Sequence, residues 1–120
     1  MATVLTQVGE EWLADKVDEI VQTKPEWVGW GTGAGTSAKG DTTLFSEASE
    51  ARVQGSMSQP VADKNRCVAT LTCAGAGKTI TNAGSFTTIT TGTLIVKGDF
   101  TGVVLAVGDK IEFTIDIEWT

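Results

Sequence analysis

The sequence predicts a mainly β fold, a small antiparallel β-sandwich with one N-terminal α-helix. Three observations predict it. The chain has 120 residues, room for one domain and one core. It carries 19 threonines and 14 glycines but only 2 prolines, and threonine is β-branched, favouring strands over helix interiors. Short apolar runs recur with turn signals about every eight to twelve residues, the spacing of sandwiches and barrels.

The helix comes first. Val4, Leu5, Val8, Trp12, Leu13, Val17, Ile20 and Val21 recur at helical steps, with Glu10, Glu11, Asp15, Lys16, Asp18 and Glu19 between them. Thr3 or Thr6 is the candidate cap. Gly9 weakens the interior, and Thr23-Lys24-Pro25 ends the element. Residues 1–24 thus read as a helical segment and 25–120 as the β body of a single domain. The apolar stripe must pack on its own body or on a neighbour.

The β body opens with a short strand at Glu26–Trp30, followed by a Gly/Thr loop over 31–41 with no periodicity. Residues 42–51 read as a helical turn or an extended arm, and 59–65 as a connection. Arg66–Cys73 is a strand, and Lys78–Phe86 is a strand interrupted at Asn82-Ala83-Gly84. A turn follows to Gly92, then a strand from Thr93 that breaks at Gly98. The last segment is the clearest. Ile111, Phe113, Ile115, Ile117 and Trp119 alternate with Glu112, Thr114, Asp116 and Glu118, the signature of a half-buried antiparallel strand.

Charge and composition narrow the function. The net charge is −6, and the nine basic residues are scattered, so no basic stripe meets nucleic acid. No apolar run approaches the roughly 20 residues of a membrane span, and the start of the chain carries no leader pattern. The absence of histidine removes the usual general base and the commonest metal ligand. Gly75-Ala76-Gly77-Lys78-Thr79 resembles the end of a phosphate loop, but Thr72 stands where that loop needs glycine, so a hairpin turn is expected. Glu112, Asp116 and Glu118 read as a solvated strand face, and Asp99 and Asp109 as turn residues. No enzyme, cofactor or metal site is expected. Cys67 and Cys73 share one face of a strand about 20 Å apart end to end, beyond disulfide reach, and read as buried thiols.

Four tryptophans remain. Trp12 belongs to the helix stripe and Trp119 to the inner face of the last strand. Trp27 and Trp30 lie on opposite faces of their strand, so the domain's own core can bury only one. Trp12, Trp27 and Trp30 are the candidate protein-interaction anchors, since tryptophan is enriched at contacts.

Two sets of residues resemble a known group. One is Trp27-Val28-Gly29-Trp30-Gly31-Thr32-Gly33, then Gly40-Asp41-Thr42-Thr43-Leu44 with Glu47 and Glu50 ahead of Arg52-Val53. The other is Lys78 to Phe86, Gly92-Thr93-Leu94-Ile95-Val96 and Gly108 to Thr114. Together they are similar to small structural proteins of tailed bacteriophages. Ser85 departs from that pattern, at a position where a bulky apolar residue is expected. The resemblance carries no catalytic residues. It implies a capsid decoration (cement) protein, made in the bacterial cytoplasm and resident in the virion. Such a protein would assemble with itself, as a trimer, and bind the major capsid protein. The alternative is a receptor- or glycan-binding domain of a tail or head fibre.

Overall fold

In the computed structural model, which describes residues 2–18 and 23–118, two antiparallel sheets pack face to face. The elements in chain order are β1 (Thr3–Leu5), α1 (Gln7–Val17), β2 (Trp27–Gly31), β3 (Val53–Gln54), β4 (Ser56–Val61), β5 (Lys64–Thr72), β6 (Lys78–Phe86), β7 (Leu94–Leu105) and β8 (Lys110–Glu118). The larger sheet has the order β1-β7-β6-β2-β3 and the smaller β4-β5-β8. The predicted β-sandwich with one N-terminal helix is the observed architecture. The chain changes sheets at Gly55, at 73–77 and at 106–109. The turn at 75–77 is therefore a corner between sheets, not a hairpin.

The core lies between the sheets. Val28, Trp30, Ile80, Ala83 and Leu105 from the larger sheet meet Cys67, Ala69 and Leu71 from the smaller, with Cys73 at the corner. Burying a side chain of this kind stabilises by about 1.5–3 kcal/mol. Both cysteines are free and buried, as expected. Burial, with Glu26 nearby, pushes the Cys67 thiol up to about 11, so it stays protonated at neutral pH.

Several boundaries differ from the pattern. Thr3–Leu5 is not helical. It forms an edge strand on β7, with Thr3 opposite Gly98, and the Asp99 carboxylate accepts from the Ala2 amide at 3.0 Å. The helix starts only after Thr6, whose hydroxyl accepts from the Gly9 amide at 3.0 Å. Val17 is 84% exposed, so the apolar stripe ends earlier than its spacing suggests; Ile20, Val21 and Trp119 lie outside the described residues. β6 and β7 run unbroken through Asn82–Gly84 and Gly98, which pair in continuous register, the ladder shifting only on either side, between Ile80 and Asn82 and between Ser85 and Phe86. β4 includes Pro60, which an edge strand with a register shift tolerates.

α1 packs on its own body. Gly9 is the contact point, since a Cβ there would stand 2.7 Å from the Ile95 carbonyl oxygen. Gly9→Ala should therefore destabilise by about 1–3 kcal/mol through overpacking, despite a helix-propensity gain of about 1 kcal/mol. Urea unfolding checks the sign. Ser85, 1% exposed, has a hydroxyl with no hydrogen-bond partner among the described residues. Ser85→Ala should raise stability by about 1 kcal/mol, or about 4 °C in Tm, read by thermal melting.

Candidate interaction surface

The inner layer of the molecule accounts for Trp30. β2 alternates, so Val28 and Trp30 point between the sheets while Trp27 points outward. Trp30 is 1% exposed and meets Phe113 edge-on, ring centroids 6.3 Å apart. Its Nε1 donates to Glu50 at 3.4 Å. Glu50 also accepts from the Ala74 amide at 3.0 Å and pairs with Lys78. Trp30 is therefore a core residue and offers no anchor to a partner. Lys78 is not a solvated turn residue but one end of this ion pair. Burial pushes the Glu50 carboxyl up, but the bonds from Ala74, Lys78 and Trp30 outweigh it and hold the group down at about 2.

The outer face of the larger sheet accounts for Trp27. The Gly/Thr loop over 31–41 runs on into a covering layer at Leu44 and Phe45. Leu44 buries against Phe86 and Leu94, with Trp27 half-buried beside them. Asn82, fully buried, donates to the Phe45 carbonyl and accepts from the Phe45 amide. Gly33 leaves room for the Phe45 backbone and Gly35 for its ring. Lys97, 1% exposed, donates to Asp41 at 2.9 Å and to the Thr43 carbonyl at 2.8 Å, under the Phe45 ring. The bond from Lys97, with that from the Ala38 amide, holds the Asp41 carboxyl below its ordinary value. Asp99 accepts from the Ser37 amide at 2.7 Å, tying the loop to β7 rather than making a turn. Arg52 forks onto Glu47 at 2.9 and 3.0 Å, lies over Phe86, and donates to the carbonyls of Thr88 and Thr91. Residues 42–51 are irregular chain within this layer, neither helical nor a free arm.

Apolar side chains stay uncovered or half-covered in three places. Trp12 is half-buried beside a cavity of about 460 Å³ whose walls include Leu13, Pro25, Met57 and Ile117. Its indole N–H has no partner among the described residues. Val103, Val104 and Val107 are 40%, 80% and 59% exposed at the end of β7 and in the turn after it. On one flank the edges of the two sheets part around a groove of about 390 Å³, whose walls include Val96, Phe100, Phe113 and Ile115 as well as Asp99 and Asp116. The valines and the flank gave no sequence signal, since their alternation matches that of covered strands.

Among the described residues no helix is long and apolar enough to cross a membrane, and no group of three or more acidic or thiol side chains is placed to hold a metal ion. No family model matches the chain, and no curated protein or solved structure matches it.

The Glu50 pair makes acid stability testable. Because its folded value lies below the ordinary 4.5, its contribution is complete above pH 4.5 and is lost as pH falls towards 2. Glu50→Gln should cost about 2 kcal/mol at neutral pH by stranding Lys78, and should flatten the stability profile across that window. Denaturant melts at a series of pH values measure both effects.

Proposed function

We propose that this chain is a non-enzymatic structural protein of a tailed-bacteriophage virion, a decoration (cement) protein that assembles as a trimer and binds the major capsid protein. One observation carries the reading: a body pinned by ion pairs leaves Val103, Val104 and Val107 exposed around the end of β7. Exposed apolar groups held on a rigid frame favour association, because little conformational freedom is lost on docking. The resemblance over most of residues 26–120 points to the same setting. Its quoted residues include Trp30, Asp41, Glu47, Glu50 and Arg52, which build the frame. The net charge of −6 leaves contact energy to apolar groups rather than to attraction for an acidic surface.

The test is light scattering of the purified protein, with co-sedimentation on empty shells assembled from a major capsid protein alone. A discrete trimer that sediments with shells is the expected result, and a monomer left in the supernatant would overturn the reading. Val104→Asp should cut shell binding at least about tenfold, as a contact residue worth more than about 1.4 kcal/mol would, with Tm unchanged. Trp12→Ala asks the same of the remaining helix anchor.

A further inference from the structure

We infer that residues 32–46 form a latched Ω-loop that opens as a unit in acid, lifting off the outer face of the larger sheet while the sandwich beneath stays closed. The inference goes beyond the virion reading and does not rest on it.

The loop is built to move in one piece. Its two ends are held to each other: the Thr32 amide donates to the Ser46 carbonyl at 3.1 Å, and the Gly33 amide to the Phe45 carbonyl at 2.9 Å. A compact surface loop with joined ends can move without unravelling. The Thr81 hydroxyl holds the Gly33 carbonyl at its base. Further out, the contacts with other elements are discrete and polar. The Ser37 amide donates to Asp99, and the Lys39 carbonyl accepts from the Gln7 amide at 2.8 Å. Asn82 grips the Phe45 backbone, and Asp41 and Thr43 hold Lys97.

The seat beneath the loop is partly polar. Leu44 meets Phe86 and Leu94 there, with Trp27 beside them, in a cluster separate from the one between the sheets. Lys97 and Asn82 are buried on the same face. Lifting the loop returns both to water, which offsets part of the apolar surface it bares. Val28 and Trp30 of β2 point to the opposite side and keep their own cluster.

Lys97 is the latch. Its ammonium is met by the Asp41 carboxylate, the Thr43 carbonyl and the Phe45 ring, all three carried by the loop. A buried charge deprived of its counter-ion is strongly destabilising, and opening to water relieves it. The other charged groups around the pair are engaged elsewhere. Lys39 of the loop pairs with Glu10 of α1, and Asp99 of β7 accepts from the Ser37 and Ala2 amides. β1 and β2 carry no charged residue, and Lys78 of β6 pairs with Glu50. Past the base of the loop, Arg52 holds Glu47. The bond from Lys97 keeps the Asp41 carboxyl below its ordinary 3.8. The latch is therefore complete above that pH and is lost as pH falls below it. Protonated Asp41 leaves Lys97 charged without its counter-ion, and the loop lifts.

Native-state hydrogen exchange of the full-length protein, followed by NMR from about pH 6 to about pH 2.5, reads the opening. The amides of Gln7, Ser37 and Phe45 all bond across the boundary between loop and body. They should share one opening constant within about threefold, and be at least about tenfold less protected than the amides of β5. On acidification their protection should fall at least about tenfold further than that of β5. Asp41→Asn should impose this loss already at about pH 6, because an amide offers Lys97 no charge, and should leave β5 unchanged. Lys97→Met, which leaves no buried charge to strand, should shrink the acid response at least about threefold. Loop amides that exchange only together with β5, or three unrelated opening constants, would overturn the inference. So would an unchanged Phe45 amide in Asp41→Asn, or a full acid response in Lys97→Met.

Discussion

A fully buried lysine charge is costly unless every donor finds a partner. Lys97 meets that condition only because residues 41–45 fold back over the larger sheet, bringing the Asp41 carboxylate, the Thr43 carbonyl and the Phe45 ring to it. This constraint organises the outer layer. Once Lys97 fixes the middle of the loop, Asn82 holds Phe45, Asp99 holds Ser37, and Leu44 drops onto Phe86 and Leu94. Arg52 then ties the far end to the 87–93 turn. The molecule is a two-sheet sandwich with a third layer of irregular chain, held by polar side chains because it has no ladder of its own.

The sandwich was legible because alternation is local. Ile111 to Ile117 reads directly as a strand, and the odd spacing of Trp27 and Trp30 places them on opposite faces. The loop layer was not legible, since its order comes from pairs far apart in the chain. Lys97 and Asp41 are 56 residues apart and Lys78 and Glu50 are 28 apart. Nothing beside Lys97 in sequence distinguishes it from a solvated lysine. Gly9 misled for the same reason: as a helix residue it looks like a weakness, and only the Ile95 backbone shows why nothing larger fits. Of the three candidate anchors, Trp30 was absorbed by the core and Trp27 half-covered by the loop layer, while Trp12 stands beside a cavity.

The two aspects of this surface differ in kind. Around Trp30 and Lys97 each charge is matched within the chain, which suits a body that must hold its shape. At β8 and the end of β7 backbone edges and apolar side chains stay unmatched. That division separates what maintains the fold from what is left for contact.

The three crossings between sheets bear on how the chain folds. The larger sheet draws on residues 3–5, 27–31, 53–54, 78–86 and 94–105, and the smaller on 56–61, 64–72 and 110–118. Neither sheet is a continuous stretch, so neither can form as an autonomous half. Closing the smaller sheet brings Lys64 to Glu118 across the whole of β6 and β7, and closing the larger brings Thr3 to Gly98. Pairings this distant make folding slow, because loop entropy is lost before any contact compensates for it. The same interleaving makes unfolding all-or-none: pulling out one sheet takes the other with it.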